Sequence, residues 1–383
     1  MSGPTPATRR RTPLLRLLAP LGLVVLLASL PLLDVSLPGV LPGATYTPGT
    51  LHLLALAWVM AAVALSYHLL FGVAGLLSFG HALYFGLGAY GLGIIMRELE
   101  LGLVPAALLT LVVAVVMSAV LGAVSLRVTG IPFAMVTLAF AQAGYVWVRR
   151  DPERLTGGEE GLRLPTEHVP GYLVGVADTR NLYWLALAVL VLAYLLTAWV
   201  QNSRAGHVAE AVRENELRVR VLGMRPFMVK FAIFVSASVI ASMVGMVHLL
   251  LNSGAVPTIM SAEFTISLLL MVVLGGVGSR WGAVAGAILY VLLSQRLTVL
   301  SQAGWVDELP AVLRIPLSEP LFILGTLFVL VVLFLPGGLA GTVARVVGRR
   351  SGPHGDGGAS PSEPATSAQE GDPDDVREPL EVR

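Results

Sequence analysis

Ten stretches of mostly apolar residues follow one another along this chain, at 14–33, 51–70, 73–96, 103–125, 131–148, 181–200, 228–251, 264–276, 282–300 and 319–336. A helix rises 1.5 Å per residue, so about 20 such residues match the roughly 30 Å hydrocarbon core of a bilayer. Helices satisfy their own backbone in lipid, and runs of this length predict them. The eighth stretch is too short to cross unaided and is expected to continue into the glycine-rich turn after it. Composition agrees: 55% of the 383 residues are hydrophobic and 13% are charged, against about 25% charged in soluble domains. The predicted fold class is an all-α polytopic membrane bundle of about ten transmembrane spans.

Positive charge in the connections sets the expected orientation. Arg9, Arg10, Arg11 and Arg16 precede the first span. Arg204, Arg213, Arg218, Arg220, Arg225 and Lys230 fill 201–230, and Arg345, Arg349 and Arg350 follow the last. Ten spans put these three groups on one side, the cytoplasm, and the acidic-leaning connections 34–50, 151–180 and 301–318 on the other. The expected layout is a cytoplasmic N-terminus at 1–13 and a transmembrane domain at 14–345, with both termini cytoplasmic. The domain carries an external loop at 151–180 and a cytoplasmic coupling loop at 201–227. A tail at 346–383, rich in Gly, Pro, Ser, Asp and Glu, is too polar to bury a core and is expected to be disordered. The arginine cluster and first apolar run also have the layout of a secretory signal. No A-x-A site follows, however, and Leu32-Leu33-Asp34 is a poor substitute, so the segment is expected to stay.

Several function classes are unsupported. The chain has no cysteine, hence no disulfide scaffold, thiol nucleophile or thiolate metal site. No metal or cofactor is expected. A net charge of +1 supplies no field for nucleic acid. The expected spans hold no Asp or Glu away from their ends, only His52, His68, His81 and His248 as their main ionisable groups. That argues against an ion-coupled carrier and against a channel lined by carboxylates. Neither H-E-x-x-H nor G-x-S-x-G occurs, and the one lysine, Lys230, is not in a P-loop. No enzyme activity is expected, and energy for transport would have to enter from another chain.

Glycine is concentrated at two places. GVAGLLSFGHALYFGLGAYGLG runs from Gly72 to Gly93, and Gly278, Gly282 and Gly286 recur every fourth residue. Small residues let membrane helices approach closely. Ala82, Gly86 and Tyr90 share one helical face, as do Ala89 and Gly93. Packing explains any single glycine; the clusters together also suit a pathway with broken helices, whose carbonyls face a cavity. Polar residues that could line such a route, or link neighbouring helices, are Ser78, His81, Tyr84, Thr137, Gln142 and Asn252, with Gly80 and Gly86 beside them.

The segment NSRAGHVAEAVRENELRVRVLGMRPF at 202–227 predicts a short amphipathic helix. Asn202 or Ser203 can cap its start, Glu214 and Arg218 form an i,i+4 pair, Gly223 suits its end and Pro226 stops it. Val208, Ala211, Val212 and Asn215 share one face. The alternation of both charge signs favours a protein partner over the headgroup surface.

Four blocks in order resemble the permease subunits of branched-chain amino acid ABC importers, most closely the second of their two homologous permeases. They are GVAGLLSFGHALYFGLGAYG at 72–91; GIPFAMVTLAFAQ at 130–142 with LTGGEEGL at 155–162; NSRAGHVAEAVRENELRVRVLGM at 202–224; and LLLMVVLGGVGSRWGAVAGA at 268–287 with LFLPGGLAG at 333–341. The resemblance implies a multi-pass subunit of the bacterial cytoplasmic (inner) membrane. Its partners would be a second homologous permease, two cytoplasmic ABC ATPases and a periplasmic or lipid-anchored substrate-binding protein. It maps an ATPase-docking loop onto 203–223, with Glu210, Ala211, Arg213, Glu214, Asn215, Glu216 and Gly223 as contacts. The binding protein would meet the loop at 151–180. Relatives that serve urea or short amides, and a passive channel for a small neutral solute, are the alternative readings.

Overall fold

A computed structural model of the chain describes residues 22–36, 41–175, 178–301, 319–334 and 337–342. The arginines at 9–11, 16, 345, 349 and 350, most of the connection 301–318 and the tail at 346–383 lie outside the described residues, as does the question of the first segment's cleavage.

The described part is a helical bundle. Its elements are α1 (Gly22–Leu32), α2 (Pro48–Val73), α3 (His81–Leu99), α4 (Leu103–Ser125), α5 (Ile131–Arg150) and α6 (Thr179–Gln201). After two short helices, α7 (Arg204–Glu214) and α8 (Glu216–Val221), come α9 (Pro226–Asn252), α10 (Ala262–Gly275), α11 (Arg280–Ser301) and α12 (Pro320–Phe334). Six of the described helices, α2, α4, α5, α6, α9 and α11, are long and apolar enough to cross a bilayer. About ten were expected. The remaining four apolar runs give shorter or differently bounded helices: α1 and α10 are short, α12 has 15 residues, and α3 begins at His81 rather than at residue 73.

α2 is the axis of the bundle, surrounded by α6, α9, α10 and α11. Its Ala55, Ala57, Ala61, Ala62 and Ala64 have no exposed surface. Lipid tails are as apolar as leucine, so helices here associate through close packing rather than release of water, and alanines permit that closeness. One very close crossing joins α3 and α9. A Cβ at Gly88 would stand 1.9 Å from the Ser242 carbonyl oxygen, and one at Gly245 would stand 1.9 Å from that of Phe85. The Ser242 hydroxyl donates to the Tyr84 carbonyl at 2.7 Å across the same contact.

α10 and α11 form a second close pair. A Cβ at Gly275 would meet the Gly282 carbonyl oxygen at 1.9 Å, and one at Gly286 the Met271 carbonyl oxygen at 2.1 Å. Gly278 is not part of that packed face. It lies in the turn before α11 with φ +107 and nothing within 4 Å of a Cβ. The four-residue repeat therefore combines one turn glycine with two packing glycines. Gly337 and Gly338 pack on Gly276 of the same turn, which brings the LGGVGSRWG block and the GGLAG segment at 337–341 together.

At the other end of the bundle two short strands, β1 (Leu162–Arg163) and β2 (Gly254–Ala255), pair antiparallel with Leu162 opposite Ala255. They tie the loop after α5 to the end of α9.

Candidate functional site

α2 does not run smoothly into α3. Its last six residues, His68–Val73, widen into a π-helical turn, and the chain from Gly75 to Gly80 is non-helical. Gly75 has φ +68, a region other residues rarely enter. Gly72 is required by space: a Cβ there would lie 2.5 Å from His68 Nδ1. Irregular backbone inside a membrane protein must have its polar groups satisfied by protein or by a water-filled cavity, and here side chains from several elements do so. Tyr67 Oη donates to the Ser78 carbonyl at 3.1 Å. The Phe79 amide donates to Thr137 Oγ1 at 3.2 Å, and the Gly80 amide to Ser78 Oγ at 3.2 Å. The Ala82 amide, in the first turn of α3, donates to Thr265 Oγ1 at 3.1 Å. At the near end Arg213 Nη1, from α7, donates to the Gly72 carbonyl.

Around this interruption sits a buried polar cluster. Ser66 Oγ donates to the Val63 carbonyl at 2.7 Å and lies 2.8 Å from His81 Nε2. With the hydroxyl proton directed to the carbonyl, the imidazole proton is assigned to Nε2. His81 Nδ1 and both ring nitrogens of His68 make no hydrogen bond among the described residues, although each is buried. The rings of Tyr67 and Tyr84 flank His81 at 5.3 and 6.5 Å.

Of the residues expected along a route, Ser78, Gly80, His81, Tyr84 and Thr137 converge on the interruption. Gly86 faces Met260, whose Cγ would lie 2.0 Å from a Cβ. Gln142 is exposed on α5. Asn252 is the last residue of α9, exposed, and donates to the His248 carbonyl at 3.1 Å. Gly278, Gly282 and Gly286 serve the α10–α11 hairpin. Ser66, Tyr67 and Thr265 escaped the sequence reading; their one signal is a hydroxyl inside an apolar run.

The amphipathic segment is two helices rather than one. Ser203 Oγ caps α7 by accepting from the Gly206 amide at 3.2 Å. Asn215, at φ −157, ends α7, and its Oδ1 caps α8 by accepting from the Arg218 amide at 2.9 Å. This kink removes the helical register between Glu214 and Arg218, and the expected pair between them does not form. Glu216 is the paired carboxylate instead, 3.2 Å from Arg220 and 2.6 Å from Lys230. The buried face of α7 is Gly206, Ala209 and Val212, with Ala211 exposed. Glu210 is half-buried and accepts from Gln201 Nε2 at 3.1 Å. Glu214 and Asn215 are exposed, and Gly223, at φ +79, closes α8. Arg213 turns back: its Cγ packs where a Cβ of Gly75 would stand.

The hydrogen bond from Lys230 above all, with its charge and that of Arg220, holds the Glu216 carboxyl below its ordinary value of 4.5. A depressed folded value contributes stability that is complete above the ordinary value and is lost as pH falls through the lower one. In mild detergent the unfolding temperature is therefore expected to drop as pH falls below about 4.5, and Glu216→Gln is expected to remove that part of the drop.

The TGGEEGL turn is ordered on the β1–β2 side. The Asp151 carboxylate accepts from the Thr156 amide at 2.7 Å, the Thr156 hydroxyl at 3.0 Å and the Gly157 amide at 3.1 Å. These bonds, the Thr156 amide first, hold its pKa below the usual carboxylate range. Gly161 packs directly on β2, with a Cβ position 2.3 Å from the Ala255 carbonyl oxygen.

Residues 49–335 match the family described as branched-chain amino acid transport system / permease component. The chain belongs to this family. It is a multi-pass membrane permease component by membership and by its apolar helices. It is 26% identical over 266 residues to the high-affinity branched-chain amino acid transport system permease protein LivM of Escherichia coli strain K12, across 64% of this chain and 62% of that protein. The corresponding protein of Salmonella typhimurium is 25% identical over the same shares. The probable branched-chain amino acid transport permease protein LivM of Methanocaldococcus jannaschii is 24% identical over 72% of this chain and 89% of its own length. The permease thus spans under two thirds of the length of its bacterial relatives. No solved structure gives a significant match.

Proposed function

We propose that this permease is the membrane-spanning subunit of an ATP-binding-cassette importer in a bacterial cytoplasmic membrane. It would pass branched-chain amino acids delivered by an extracytoplasmic binding protein. The family and the named substrates of its relatives support the cargo. The α7–α8 end, with its arginines, would face the cytoplasm and receive the ATPases, and the TGGEEGL turn would face the binding protein. A second, homologous permease would complete the pathway.

One observation carries the coupling: Arg213 of the peripheral helix α7 reaches the Gly72 carbonyl, where α2 breaks. A push on α7 is thereby delivered to the 74–80 interruption, whose other contacts come from α2, α5 and α10. The buried unpartnered ring nitrogens of His68 and His81 would supply the polar lining of the route beside it.

Docking would fall on the exposed side: Glu214, Asn215, Leu217 and Arg218, with Glu210, Ala211 and Glu216 beside them and Gly223 ending α8. Leu217, Val221 and Leu222 are 66%, 79% and 69% exposed, more apolar surface than a solvated six-residue helix needs. Co-purification with candidate ATPases tests this. Replacing Glu214 and Leu217 by alanine is expected to weaken association at least tenfold without lowering the permease's own unfolding temperature; unchanged association would contradict the docking assignment.

A further inference from the structure

A pocket of about 570 Å³ lies where the end of α4, the helix α8 and the start of α9 meet. Four cations line it, Arg127, Arg220, Arg225 and Lys230, against the single carboxylate of Glu216. Glu216 is already held by Arg220 and Lys230. Arg127 and Arg225 are exposed, and their side chains make no ion pair or hydrogen bond among the described residues. The pocket also receives the start of α9, a 27-residue helix whose N-cap, Arg225, makes no capping side-chain bond. With Pro226 at the first position, the amides of Phe227 and Met228 and the positive end of the helix dipole add to the attraction for an anion.

An apolar surface leads away from these cations. On α4, Val112, Val116, Val120 and Val124 recur every fourth residue and are each 49% to 58% exposed. They form one continuous column that ends beside Leu126 and Arg127 of the pocket. Its length is about 18 Å at 1.5 Å per residue, close to the roughly 15 Å of one leaflet's hydrocarbon. A cationic pocket at the foot of a leaflet-deep apolar column matches an amphiphile with a negative head.

We propose that this pocket binds the phosphate headgroup of an anionic phospholipid whose acyl chain lies along the α4 valine column. The family membership places the chain in a membrane but assigns no lipid. Bound there, the headgroup phosphate pairs with the free Arg127 and Arg225 and braces α8 at its junction with α9, next to the coupling segment.

The full-length permease in a neutral detergent is the test material, with phosphatidylglycerol, phosphatidylcholine and inorganic phosphate as probes. Phosphatidylglycerol is expected to raise the unfolding temperature by a few degrees and to stay bound in native mass spectra; phosphatidylcholine and phosphate alone are expected to do neither. The double variant Arg127→Ala/Arg225→Ala is expected to need at least tenfold more phosphatidylglycerol for the same shift, while Arg127→Lys/Arg225→Lys keeps the response. An equal response to phosphatidylcholine, or an undiminished one in the alanine variant, overturns the proposal. Phosphate acting as well as the lipid would assign the pocket to a soluble anion and overturn it too. So would an alanine variant that loses only ATPase association, which would assign the pocket to a protein partner.

Discussion

Replacing Gly245 by leucine is expected to destroy the bundle as a folded unit. A Cβ at this position would stand 1.9 Å from the Phe85 carbonyl oxygen and 3.2 Å from the Ala89 amide nitrogen, both backbone atoms of α3. Backbone cannot rotate aside as a flexible side chain can, so α3 and α9 must separate. Separation breaks the Ser242–Tyr84 hydrogen bond and lifts Gly88 from the Ser242 carbonyl. Overpacking in a dense interior costs about 1–3 kcal/mol where neighbours can shift. Here they cannot, and a loss of about 3 kcal/mol or more is expected, a large part of the roughly 5–15 kcal/mol that holds a typical fold together. Size-exclusion profiles and thermal unfolding in mild detergent measure it. Gly102→Ala is the control, with no atom within 4 Å of its Cβ, and should unfold like the parent. A leucine variant that elutes and unfolds like the parent would show that the α3–α9 crossing is not as close as described.

Arg213→Ala is expected to uncouple the permease rather than unfold it. The guanidinium serves a carbonyl in the last turn of an interrupted helix and spans 141 residues of sequence. Hydrogen bonds made by charged groups contribute about 1.5–3 kcal/mol, on the order of ten- to a hundredfold in the population of the coupled state. Transport in the assembled importer is expected to fall at least tenfold, with ATPase association unchanged within about twofold. Arg213→Lys should recover only part of the rate, because an ammonium replaces the planar fork by a single point charge on a shorter reach. Equal losses of association and transport would mean that Arg213 is a docking contact and that the link to Gly72 is incidental.

How much of this was readable in advance differs by element. Hydropathy marks α4 at its observed bounds and α5, α6 and α9 within two residues, because a long apolar run in lipid has little choice but to be helical. The interruption at 74–80 escaped that reading. Its residues AGLLSFG are as apolar as those of a span, so hydropathy cannot see that a glycine at φ +68 ends the helix there. The glycine cluster did point to close packing or broken helices, and 72–93 contains both: a break at Gly75 and a backbone crossing at Gly88. Asn215 shows the limit of local rules. Charge spacing suggested a Glu214–Arg218 pair on one helix, yet the side chain of Asn215 offers its own cap to the Arg218 amide and splits the segment. Arg213 was singled out as a partner contact, and its inward turn depends on a tertiary neighbour that no local pattern contains. The exposed column of α4 was present in the sequence as valines every fourth residue; what gave it meaning was the cluster of cations the fold assembles at its foot.

In the function proposed above, this permease is a gate driven from outside, through α7, with no engine of its own. Uptake of labelled leucine into proteoliposomes tests it most directly, using the permease with its homologous partner and binding protein, with and without the ATPases and ATP. Accumulation against a gradient is expected only when ATPases and ATP are both present. Accumulation by the permease alone under a proton or sodium gradient would contradict the account.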